Sequence, residues 1–85
     1  MPKLYELRPH RGGRAVRTPN RIVDALDLNK PEAVKDQLRR HLLAVADRDG
    51  ARRTEVHLYH LDVHAIDGER VSRDPSFQFS VPVEA

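Results

Sequence analysis

Three histidines and an aspartate fall within eight positions of this chain, HLYHLDVH at residues 57–64. Imidazole nitrogen and carboxylate oxygen are donors that zinc and iron accept. On a β-strand successive side chains alternate between faces, so His60, Asp62 and His64 point one way and His57 the other. Any metal on this stretch would therefore be held by His60, Asp62 and His64. Hairpin counting gives the same residues a simpler use. A two-residue turn at Asp67-Gly68 sets Ile66 opposite Glu69, His64 opposite Val71 and Asp62 opposite Arg73. Asp62 then has a cationic cross-strand partner. The expectation is a polar stripe, with no metal and no cofactor.

A second group of residues could bind anions. Arg8, Arg11, Arg14, Arg17 and Arg21 recur every three or four positions. Residues 1–21 hold six bases against Glu6 alone, a net of +5, and residues 22–85 hold nine bases against twelve acids, a net of −3. A basic leader on a mildly acidic body points to a polyanionic partner. Twelve of the fifteen bases are arginine, whose planar fork can bond two phosphate oxygens at once. The same bias accords with a GC-rich genome, actinobacterial or of a phage infecting such a host. Little aromatic character is interleaved with these arginines, so base stacking on single strands gains no support. Ser72, Ser76 and Ser80 lack a nucleophile context, and Gly12-Gly13 matches no phosphate-loop fingerprint. No catalytic residue is assigned, and a non-enzymatic protein is expected.

The elements that must position these groups follow from periodicity. Leu4–Leu7 alternates and reads as a short strand closed by Pro9, with residues 8–17 as a basic arm or loop around Gly12-Gly13. Thr18-Pro19 reads as an N-cap followed by the first helical residue, opening a short helix to about Asp27. Asn29 and Glu32 have capping-box spacing. Val34, Leu38, Leu42 and Val45 then step by four, four and three, the stripe of a long amphipathic helix ended by Gly50. Thr54–Ile66 reads as one long strand that pairs back through Asp67-Gly68 to SFQFSVPV at residues 76–83. The fold expected is α+β: short N-terminal strand, short helix, long amphipathic helix, then a long C-terminal β-hairpin packed on that helix.

The segment RIVDALDLNKPEAVKDQLRRHL, residues 21–42, resembles a helix-turn-helix, with Ala25, Leu28, Val34 and Leu38 at its apolar positions. The resemblance implies a DNA-binding helix pair, Arg39 and Arg40 at the far end of its second helix, and a hairpin serving as a wing.

One peculiarity concerns the long strand. Its first half is apolar on the even face (Val56, Leu58) and its second half on the odd face (Leu61, Val63, Ala65). Either a bulge near Asp74-Pro75 resets the pairing, or Leu61 and Val63 form the interface of a homodimer, the expected state of so short a chain. Eighty-five residues without cysteine make one domain with no disulfide. No apolar run spans a bilayer and no signal peptide is evident, so a soluble, cytoplasmic protein is expected. The functional expectation is a small nucleic-acid-binding accessory or regulatory protein using Arg8, Arg11, Arg14, Arg17 and Arg21, supported by Arg39 and Arg40. The alternative is a homo-oligomeric interaction or structural module, phage-encoded, that meets itself or a host protein through its sheet.

Overall fold

Gly12-Gly13 decides how the chain starts to fold. A two-residue loop of this kind favours an antiparallel hairpin, because glycine enters the left-handed region without steric cost. In the computed structural model, which describes residues 4–24 and 30–83, Gly12 sits at φ +59° and Arg11 faces Arg14 across the turn. The basic segment 8–17 is thus a β-hairpin. Strand β1 runs from Leu4 to Arg11, straight through Pro9. Pro9 lacks a donor, but its carbonyl still accepts from the Val16 amide at 3.0 Å. Two short strands, β2 (Arg14–Ala15) and β3 (Arg21–Asp24), follow each other along the same edge of β1.

The 18-residue helix α1, Pro31–Arg48, comes next, with Lys30 at the N-cap. Asn29, expected as the cap, lies outside the described residues. Val34, Leu38, Leu42, Val45 and Ala46 are the buried positions, the stripe that the 3.6-residue period dictates. A 3-10 helix, Arg53–Leu58, leads into β4 (Tyr59–Asp67). The Glu55 carboxylate accepts from the Arg52 amide at 2.9 Å at its start. Two further short strands, β5 (Arg70–Val71) and β6 (Phe77–Ser80), share the far edge of β4.

All pairings are antiparallel, and the central pair is β1 with β4, matched from Leu4↔Ile66 to Arg11↔Tyr59. The six strands therefore occupy four rows, β2/β3, β1, β4 and β5/β6. One sheet face takes the helix. Tyr5 and Leu7 from β1, Val23 from β3 and Tyr59, Leu61 and Val63 from β4 are buried with the α1 stripe and Val56. The opposite face is left to polar groups.

This architecture overturns the expected fold class. The molecule is mostly antiparallel sheet with a single helix of more than two turns among the described residues, not a strand, two helices and a terminal hairpin. The short helix expected from Thr18 to about Asp27 is contradicted over Arg21–Asp24, which is β3; residues 25–29 lie outside the described part. Thr18 caps nothing, since its buried hydroxyl has no partner among the described residues. β-branched Ile22 and Val23 instead fit the pleated edge that the glycine turn presents. With 21–24 a strand, the helix-turn-helix resemblance fails at its first helix, and with it the winged-helix reading.

The long strand expected from Thr54 also begins later, at Tyr59. The switch of apolar parity at residue 58 marks a change of period, helical before it and extended after it. The pairing is reset as well. The β4–β5 turn centres on Gly68-Glu69, with Gly68 at φ +63°, so Ile66 faces Val71. Residues 72–76 then bulge out, and Val63 faces Phe77 where the β5 register would have placed Asp74.

Candidate functional site

The open sheet face gathers the polar residues of β1 and β4. Residues paired across an antiparallel sheet share a face, and residues two apart along a strand return to it. Glu6, Arg8 and His10 of β1 therefore stand with His64, Asp62 and His60 of β4, pair by pair, and Gln78 and Ser80 of β6 continue the rows. His10 and His60 are direct partners, their rings stacked with centroids 5.1 Å apart and planes 9° apart. The Asp62 carboxylate lies between them and the next row. His10 Nε2 is 3.3 Å from Oδ2, and His60 Nε2 is 3.3 Å from Oδ1. Gln78 Nε2 donates to Oδ1 at 2.8 Å and fixes the carboxylate.

Two expectations about this stretch are corrected. Asp62 does not face Arg73; its register partners are Arg8 and Gln78, because the turn and the bulge shift the outer row. Arg8 is itself engaged by Glu6, Nε to Oε1 at 2.6 Å. His64 does not share a site with His60 and Asp62. It is 4% exposed, and its Nδ1 lies 3.0 Å from the Ser72 carbonyl beneath the 72–76 bulge. The third member of the cluster is His10, whose ring nitrogen lies within 4.8 Å of the His60 nitrogen and the Asp62 carboxylate oxygen. Sequence reading missed His10 by closing the first strand at Pro9. Continuing the alternation Glu6, Arg8, His10 puts it on the right face.

The arginines divide into engaged and open groups. Arg8 pairs with Glu6. Arg11 donates to the Tyr59 phenol at 3.1 Å and lies 3.4 Å from Glu55. The hydrogen bond to Tyr59, followed by the Glu55 carboxylate, raises the Arg11 pKa. Burial, then the hydrogen bond to Asp49, raises that of Tyr59. The Arg52 amide first, and Arg11 next, lower that of Glu55. This cluster is a structural tie between the sheet and the end of α1. Arg40 pairs with Asp36 one helical turn away at 2.7 Å. Arg39 lies on another surface, lining a groove of about 510 Å³ with Leu43, Arg53, His57 and Val81. Arg14, Arg17 and Arg21 are exposed and form no salt bridge among the described residues.

His41 of α1 is half-buried, and its Nε2 has no hydrogen-bond partner among the described residues. Burial lowers its pKa, and the charges of Arg21 and Arg48 lower it further. Two exposed arginines, one on the outer strand and one at the helix end, thus converge in their field on one imidazole. The helical period puts His41 and Arg48, seven residues apart, on one face of α1, and only the fold adds Arg21 of β3.

Leu61 and Val63, expected at a homodimer interface, are 0% exposed under α1 and opposite Phe79 and Phe77. A partner subunit cannot reach them, so the interface assigned to them is withdrawn. No helix among the described residues is long and apolar enough to cross a membrane. Comparison with protein-family models, with curated proteins and with solved structures finds no match to this chain.

Proposed function

We propose that this protein is a small, non-enzymatic nucleic-acid-binding accessory or regulatory protein that holds phosphates along the β2/β3 edge of its sheet. The observation that carries the reading is that Arg14, Arg17 and Arg21 stand exposed along this edge and form no salt bridge among the described residues. Arg48, exposed at the end of α1, is likewise without a carboxylate partner among the described residues. Arginine forks arrayed on an exposed strand edge suit phosphate oxygens, and neutralising phosphates releases condensed counterions.

The interface is narrower than the full arginine series. Arg8, Arg11 and Arg40 are engaged by Glu6, Tyr59 with Glu55, and Asp36, so the contact rests on Arg14, Arg17, Arg21 and Arg48. Tyr5 and Tyr59 are buried in the core and offer no stacking platform. Backbone contact without base readout follows, which gives sequence-tolerant binding.

Fluorescence anisotropy with mixed-sequence duplex DNA and with RNA, at two salt concentrations, tests this. Changing Arg14, Arg17 and Arg21 together to Ala should weaken binding and flatten its salt dependence by about 0.9 log units of slope per lost phosphate contact on duplex DNA. Absence of binding at low salt would end the proposal. Unchanged binding by the triple variant would move the contact elsewhere.

A further inference from the structure

We infer that His10, His60 and Asp62 form a binding site for a divalent first-row transition ion of the zinc type, on the sheet face opposite α1. Three features of the geometry carry this.

The donors are of the right chemistry and converge from two strands. His10 and His60 are paired in register across β1 and β4, and Asp62 is the next residue of β4 on that face. Their ligand atoms all lie within 4.8 Å of one another. A tetrahedral ion with bonds of about 2.0–2.1 Å requires ligand atoms about 3.3–3.4 Å apart. Each imidazole is already 3.3 Å from one oxygen of the Asp62 carboxylate, His10 Nε2 from Oδ2 and His60 Nε2 from Oδ1. The remaining adjustment closes the three ligand atoms from within 4.8 Å to that spacing, by a tilt of the two parallel rings and a small rotation of the carboxylate. Side-chain exposures of 25% for His10 and 28% for His60 leave room for it.

The carboxylate is held in place. Gln78 donates to Asp62 Oδ1 at 2.8 Å, the kind of outer contact that orients a metal-bound carboxylate. The nearest register cation, Arg8, is occupied by Glu6. The site is also half-buried, with Asp62 at 16% exposure. An ion held there is shielded on the sheet side and reached by water from the other. Three protein ligands and an open position describe a site able to bind water or a small anion on the metal. This pair of imidazoles and a carboxylate lies on a different surface from the proposed phosphate edge and is independent of it.

Tag-free protein titrated with ZnCl₂ by calorimetry, and with CoCl₂ followed by visible absorption, tests the assignment. One equivalent of Zn(II) should bind, and the Co(II) adduct should show the intense d–d bands of a low-coordinate site. His10→Ala, His60→Ala and Asp62→Asn should each weaken Zn(II) binding at least about tenfold. His57→Ala, which changes an exposed histidine outside the cluster, should leave it intact. Imidazole NMR of the unmodified protein keeps the test decisive should a variant unfold: Zn(II) should shift the ring signals of His10 and His60 and spare His57. No saturable binding, or binding that survives the cluster variants and is lost with His57→Ala, overturns the inference.

Discussion

The Tyr59 phenol donates a hydrogen bond of 2.5 Å to Asp49, just beyond the last turn of α1, while accepting one from Arg11 of β1. One buried ring thereby ties the first residue of β4 to the helix end and to the tip of the first hairpin. Tyr59→Phe keeps the ring and removes the hydroxyl. It should lower unfolding stability by about 1–3 kcal/mol, since a charged acceptor loses its partner. Urea denaturation measures the change, and an unshifted midpoint would show that the tie contributes nothing.

Leu61→Ala should cost about 2–5 kcal/mol, because the residue is fully enclosed between α1 and the β1–β4–β6 rows. Leu58→Ala, at a site 42% exposed, should cost well under half as much. Thermal melts of the two variants side by side check which parity faces the core. Equal losses would refute the assignment.

The two glycines of the first turn should differ. Gly12 has φ +59°, where a Cβ meets the following carbonyl, so Gly12→Ala should destabilise by about 1 kcal/mol. Gly13 has no positive φ and open space around it, so Gly13→Ala should be close to neutral. Chemical denaturation of both variants compares them directly.

His41 gives a pH dependence of known sign. Burial first, and Arg21 and Arg48 next, lower its folded pKa below the ordinary 6.5. The folded chain therefore resists a proton that the unfolded chain accepts. The stability associated with a neutral His41 is fully present above pH 6.5 and is lost as pH falls through the lowered folded value. Arg48→Gln should raise the His41 pKa by removing part of the positive field, and should make the acid loss of stability smaller. Histidine NMR titration reads the first effect and denaturation across pH 5–8 the second. A His41 pKa unmoved by both Arg21→Gln and Arg48→Gln would show that burial alone lowers it.

Local signals were the readable ones. The stripe Val34, Leu38, Leu42 and Val45 located α1 because a helix closes its hydrogen bonds within itself, so its period is written in neighbouring residues. Gly50 at φ +83° likewise marked where it stops. The stretch Arg21–Asp24 misled because Thr18-Pro19 resembles a helix start, while the edge of β1 that captures the segment is some fifteen residues away. Of the candidate site, His60 and Asp62 were legible as one strand face. His10 was not, because Pro9 suggested an end to a strand that continues.

The sequence by itself determined the span of α1 and which residues of β4 share a face. Tertiary structure alone decided which strands pair and in what register. Strand hydrogen bonds are satisfied by whichever partner the whole chain presents, and a shift of two residues keeps every face while changing every neighbour. The turn moved the register by two residues and the 72–76 bulge by three more, exchanging Arg73 for Gln78 beside Asp62, and the pairing of β1 with β4 set His10 against His60. It also enclosed Leu61 and Val63, because the helix needed an apolar floor and only the odd face of β4 supplied it.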